Sequence, residues 1–142
     1  MADTVSLTIL HTNDIHGRLE GLARIATLIE QIRAESQGLP VLFFDPGDSE
    51  DTSNRLNNLT KGASMHRLLS AMGCDAIVVG NGAIPRCGPG VLRDHVAASH
   101  YPHLLANLRL PDGDFLPSRS ARGIPGCPQP GQGRIGAVDI FL

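Results

Sequence analysis

An α/β domain built on a parallel sheet is the fold class this sequence predicts, and three observations predict it. Apolar runs at residues 5–11, 41–45 and 76–80 are short and bounded by glycine, proline or polar residues, as buried strands are. The stretches between them carry apolar residues at helical spacing. The two kinds of segment alternate, and alternating strands and helices imply parallel strands joined by right-handed crossovers.

The first strand spans residues 5–11. Leu22, Ile25, Ile29 and Ile32 then recur on one side of a helix over residues 20–35, and Gly38 and Pro40 mark the return to the strand at 41–45. Residues 51–61 read as a polar loop rich in Asn, Ser and Thr. Gly62 opens a second helix with Met65, Leu68, Leu69 and Met72 on its apolar face and Gly73 at its end. These methionines are core filler. The third strand takes residues 76–80, a helix with Pro89 near its first turn takes 89–99, and a fourth strand takes 104–107. A Pro/Gly-rich segment follows at residues 109–132, and residues 133–142 read as one more strand. Domain organisation is thus expected as residues 1–108, a loop at 109–132, and a strand of the same domain at 133–142.

The strand ends carry the chemistry. The first run stops in Asn13-Asp14-Ile15-His16-Gly17, which sets a carboxylate and an imidazole two residues apart. In extended backbone such side chains point the same way and can grip one ion. The second run ends in Asp45-Pro46-Gly47-Asp48-Ser49-Glu50-Asp51, four carboxylates in seven residues, a crowding best tolerated in full solvation or beside a cation. Gly47 lets the chain turn so that Asp48 projects from the strand end. The third run ends in Gly80-Asn81-Gly82. Ligands collect at the carboxyl ends of parallel strands. Asp14 with His16, Asp48 as a bridge, and Asn81 therefore compose half of a two-metal site, of the kind that holds ions roughly 3.5–4 Å apart and activates water for phosphoryl transfer. Taken alone, Asp14 would be a helix cap and His16 a turn residue; the three-strand pattern is what favours ligation.

LTILHTNDIHGRLEGLARIATLIEQIR, VLFFDPGD and SMHRLLSAMGCDAIVVGN resemble the amino-terminal part of the 5'-nucleotidase family, calcineurin-like metallophosphoesterases that include UDP-sugar hydrolases. The resemblance runs from residue 5 to about 110. It implies part of a four-layer α/β/β/α metallophosphoesterase fold, cut short. It also implies divalent metal ions, two in a complete site with manganese or zinc best suited, and a phosphoester or nucleotide as substrate. By resemblance Asp14 and His16 bind the first metal, Asp48 bridges, and Asn81 binds the second.

Two departures accompany the match. The family's G-N-H-E motif, with an Asp shortly after, reads here Gly80-Asn81-Gly82-Ala83-Ile84-Pro85. Gly82 stands where the family has its catalytic His and Pro85 where it has that residue's Asp partner, so no catalytic residue is assigned. Loss of a positioned acid commonly costs roughly 10²–10⁴ in rate. Arg86 is close enough in sequence to supply a positive charge instead. The family's further histidine ligands also have no counterpart in these 142 residues. Of the six histidines only His16 sits in a metal motif. His11 is expected packed or hydrogen-bonded, His66 on the polar side of its helix, and His95, His100 and His103 in structural places around the next helix and strand.

Composition bounds the rest. With 12 basic and 14 acidic residues, no Trp and one Tyr, nothing favours nucleic acid or an anionic membrane as partner. No apolar stretch has the length of a membrane span, and Cys74, Cys87 and Cys127 fit no disulfide or C-x-x-C framework, so a cytoplasmic setting is expected. The first strand lacks G-x-G-x-x-G, which argues against a Rossmann cofactor binder. An exposed apolar sheet edge makes homo-oligomerisation an expectation. Two functions stand: a metal-dependent phosphoester hydrolase of nucleotidase type, or an inactive relative that serves as a binding or interaction module.

Overall fold

A computed structural model describes residues 5–51 and 53–104. Four parallel strands lie in the order β1 (Thr8–His11), β2 (Val41–Asp45), β3 (Ala76–Val78) and β4 (His103–Leu104). Helix α1 (Leu19–Glu35) joins the first two strands, α2 (Arg55–Thr60) and α3 (Ala63–Ala71) join β2 to β3, and α4 (Ala83–Cys87) and α5 (Val91–Ala97) lead to β4. The α/β class and the parallel sheet are as expected; the strand proposed for residues 133–142 and the loop at 109–132 lie outside the described residues.

Strand alternation puts Leu10, Phe43, Asp45, Ile77 and His103 on one face of the sheet. That face meets Leu22 and Ile29 of α1, Met65 and Leu69 of α3, and Tyr101 in one buried cluster. The opposite face is open: Ile9 is 58% and Val78 43% exposed. Among the described residues the exposed apolar surface of the sheet thus includes this face.

Three elements differ from expectation, one of them the short helix α4, which the sequence reading did not foresee. The polar stretch at 51–61 contains α2, because Asn54 caps it by accepting from the Leu56 and Asn57 amides, and its asparagines do not prevent so short a helix. In α3 the buried residues are Ser64, Met65, His66 and Leu69, while Leu68 is 37% exposed. The buried arc is rotated toward position 66, so His66 is not on the polar side: it is only 1% exposed. Helix α3 ends at Gly73 as expected, with φ of 72° and its amide donating to Ser70 O.

Gly47 is where the chain most needs a missing side chain. Its φ is 112°, and a Cβ there would lie 2.7 Å from Val78 O and 2.9 Å from Gly80 N. Gly47→Ala is expected to destabilise the domain by about 2 kcal/mol or more, as a lower urea midpoint, since backbone on both sides must shift.

Candidate functional site at the strand ends

Beyond the last residues of β1 and β2 the two chains stay hydrogen-bonded. Thr12 N–H donates to Phe44 O at 3.1 Å, Asp14 N–H to Gly47 O at 3.0 Å, His16 N–H to Asp48 O at 3.1 Å and Gly17 N–H to Ser49 O at 2.9 Å. Within this zipped pair of loops Asp14, His16 and Asp48 have φ of 51°, 48° and 53°. Left-handed backbone is uncommon outside glycine, and Asp and His are among the residues that tolerate it best. Three such residues together represent local strain held by the surrounding bonds, a feature that clusters at functional sites.

This geometry corrects the expectation that Asp14 and His16 converge through extended backbone. Two left-handed residues bracket Ile15, which is buried in the core, and that kink brings His16 Nε2 to 3.4 Å from Asp14 Oδ1. Both side chains remain open to solvent, 42% for His16 and 59% for Asp14. Asp48 accepts the Gly82 amide on Oδ1 at 3.0 Å, and the Asn81 side-chain amide faces the same carboxylate, its nitrogen within reach of both oxygens. Asp14, Asp48 and Asn81 line one open hollow of about 520 Å³. His11, expected to be packed or hydrogen-bonded, is exposed and lines it too, because it ends strand β1 where no helix among the described residues covers it.

The four carboxylates from the end of β2 onward do not crowd. Asp45 turns into the core, 1% exposed, and accepts from Thr12 Oγ1, Ser49 Oγ and the Gly47 amide at 2.7–2.8 Å. Burial raises its carboxyl pKa, although these hydrogen bonds oppose the rise. Asp48 faces the hollow, Asp51 accepts from Ser53, and Glu50 points into the protein.

Sequence reasoning missed the cluster around Glu50. His66 Nε2 lies 2.6 Å and His95 Nδ1 3.6 Å from Glu50 Oε1. His66 Nδ1 meets Tyr101 Oη at 3.0 Å, and His95 Nε2 meets Lys61 O at 2.6 Å. The His103 ring stacks on Tyr101 and lies 4.8 Å from that of His66. Burial would raise the Glu50 pKa, but the hydrogen bond and charge of His66, with His95 beyond, hold it at about 2. Burial pushes His103 down to about 3 and also lowers His95. The histidines expected in structural places divide: His66, His95 and His103 are buried and bonded, while His100 is exposed. The available signal was the 65/66/69 spacing of α3, which places His66 beside two core residues.

At the third strand end Gly82 precedes α4, and Pro85 sits in that short helix. Arg86 Nη2 donates to Glu50 O at 3.2 Å and would stand 2.7 Å from a Cβ on Gly82; Asp48 Oδ1 would be 3.2 Å from it. The space that a side chain at position 82 would enter is therefore occupied by a guanidinium.

The parallel α/β unit carries carboxylate, imidazole and amide side chains at its strand ends, and comparison with known proteins sets its class. No family model matches the chain. It is 31% identical to mouse (Mus musculus) 5'-nucleotidase over 83% of its own length and 24% of the relative's, and 34% identical to 5'-nucleotidase of Diplobatis ommata over 79% and 21%. A 5'-nucleotidase precursor from Thermus thermophilus superposes with a TM-score of 0.63 at 27% identity, over 71% of this chain and 22% of that one. The Haemophilus influenzae NAD nucleotidase shares the fold, with a TM-score of 0.64 at 20% identity, over 75% and 22%. The chain corresponds to the amino-terminal part of the 5'-nucleotidase family and spans about a quarter of the length of these relatives. Among the described residues no helix is long and apolar enough to cross a membrane.

Proposed function

We propose that the strand-end hollow is one half of a two-metal centre for hydrolysis of phosphoesters of the nucleotide class. The observation that carries this reading is the apposition of Asn81 to the Asp48 carboxylate, beside an exposed Asp14–His16 pair held in left-handed backbone. The donor set fits divalent ions: carboxylates, a neutral imidazole and an amide oxygen suit manganese or zinc. Turned with its nitrogen toward Asp48, the Asn81 amide donates to that carboxylate; turned the other way, its oxygen would face an ion. Asp14 and His16 would hold one ion, Asp48 would bridge, and Asn81 would hold the second. Bound ions of this kind activate water and neutralise charge developing on phosphorus.

The chain's own groups do the positioning. The Gly82 amide fixes the rotamer of Asp48, and the ladder from Thr12 to Ser49 fixes the two loops relative to each other. Arg86 brings a permanent positive charge beside the hollow, placed to attract a phosphoryl oxygen but unable to protonate a leaving group at neutral pH.

That inability, with Gly82 at the acid's position, specifically favours a second reading, a module that binds a phosphoester without turning it over. The test is metal content together with turnover of p-nitrophenyl phosphate, bis-p-nitrophenyl phosphate and AMP with manganese added. Metal-dependent turnover is the outcome expected of the hydrolase. Metal that is lost on Asp14→Asn with Asp48→Asn, and AMP bound without turnover, selects the binding module; metal content unchanged by those substitutions, with neither turnover nor AMP binding, removes both.

A further inference from the structure

Glu50, His66 and His95 face away from the strand-end hollow, and the reading above does not use them. We propose that they form a second, separate site for one transition-metal dication, with zinc the best match. One ligand atom from each can be chosen so that all lie within 4.8 Å of one another, and all three residues are buried. A tetrahedral zinc with bonds of about 2.0–2.2 Å needs ligand atoms roughly 3.3–3.6 Å apart. The His95–Glu50 distance of 3.6 Å already meets this, and the His66–Glu50 pair must open from 2.6 Å by less than about 1 Å.

The surroundings are those a metal-bound histidine requires. A ligating imidazole almost always donates its other N–H to an oxygen, which sets its tautomer and aim. Here His95 has Lys61 O for Nε2 and His66 has Tyr101 Oη for Nδ1, so Nδ1 of His95 and Nε2 of His66 are left for the ion. Tyr101 in turn donates to His66 O at 3.2 Å, so the same hydroxyl serves His66 as acceptor at Nδ1 and donor at its carbonyl.

An independent observation points the same way. Glu50 Oε2 is buried and has no hydrogen-bond partner among the described residues, an arrangement costly for a carboxylate oxygen unless a cation meets it. The path in is visible: a cavity of about 300 Å³ has Glu50, Asn57, Lys61, Gly62 and Arg86 in its lining. Gly62 keeps that wall thin, since a Cβ there would run into the Glu50 side chain and stand 3.0 Å from His95 Nε2. An ion here would tie the loop after β2 to α3 and α5, a structural role distinct from chemistry in the hollow.

The experiment uses the 142-residue chain carrying Asp14→Asn and Asp48→Asn, which removes two ligands of the strand-end site while keeping shape. After dialysis against zinc, one equivalent is expected to remain and the melting temperature to rise relative to the zinc-free protein. Adding His95→Gln is expected to abolish both. Cobalt in place of zinc gives a readout needing no third substitution: two paramagnetically shifted, slowly exchanging imidazole N–H resonances, from His66 Nδ1 and His95 Nε2. Absence of retained zinc in the Asp14→Asn/Asp48→Asn double variant, zinc retention undiminished by His95→Gln, or a cobalt spectrum without those two resonances would each overturn the proposal. Loss of fold in His95→Gln leaves the cobalt spectrum to decide.

Discussion

Asp48→Asn is expected to remove metal-dependent turnover by a factor of at least about 10², while leaving the fold within about 1 kcal/mol of the parent. The two effects separate because of what Asp48 does. Its Oδ1 accepts the Gly82 amide, and its backbone is left-handed with φ of 53°. Asparagine keeps an oxygen for that amide and is among the residues that best tolerate the conformation. It loses the negative charge that a bridging ligand must share between two ions. Asp48→Ala removes the charge too, but also strips the Gly82 N–H of its acceptor and puts a Cβ residue without a compensating side chain into left-handed backbone. It should therefore cost a further 1–2 kcal/mol or so in urea unfolding. Metal content by elemental analysis and AMP hydrolysis, measured on both variants, distinguish the cases. Turnover in Asp48→Asn equal to that of the parent would sink the bridging role.

How much of this was legible beforehand depends on how local the physics is. The order of strands and helices could be read because each run is bounded by its own turn residues, and the strand-end positions of Asp14, Asp48 and Asn81 follow from that order alone. What brought Asp14 and His16 together could not. Extended backbone was the natural expectation, and the left-handed kink about Ile15 depends on amides of one loop pairing with carbonyls of the next, from Gly47 to Ser49. The carboxylates from the end of β2 onward misled for a similar reason. Adjacent charges in sequence suggest a shared environment, yet Asp45 faces the core, Asp48 the hollow and Glu50 a histidine pair. His66 illustrates the limit most clearly. Helical spacing allows the buried arc of α3 to sit over Leu68 or over His66. Only the arrival of Glu50, His95 and Tyr101 from three other segments gives an imidazole the partners that make its burial affordable.

Acid is expected to unfold the metal-free chain, with stability falling from about pH 6.5 downward rather than from the carboxylate range alone. The sign follows from proton binding. His103 has a pKa near 3 when folded, against an ordinary value of 6.5, because it is buried. Between those values the unfolded chain binds a proton that the folded chain refuses, so folding weakens as pH falls through this window and is unaffected above it. His95, lowered chiefly by burial, acts in the same direction. Each such histidine contributes up to about 1.4 kcal/mol per pH unit. Glu50 adds a second phase. Held at about 2 against 4.5, its carboxylate contributes stability that is present above pH 4.5 and lost toward pH 2, on the order of 3 kcal/mol. For a domain at the low end of ordinary stability, about 5 kcal/mol, the first phase alone removes most of it. Urea unfolding at a series of pH values in the presence of chelator measures the slope. His103→Leu should flatten it between pH 6.5 and 4.5 while leaving the later loss due to Glu50 in place. It will itself cost stability, because Ser99 Oγ loses its partner at 2.8 Å. The slope, not the absolute value, is thus the diagnostic, and a parent protein equally stable at pH 6.5 and pH 4.5 would show that these imidazoles are not held neutral by burial.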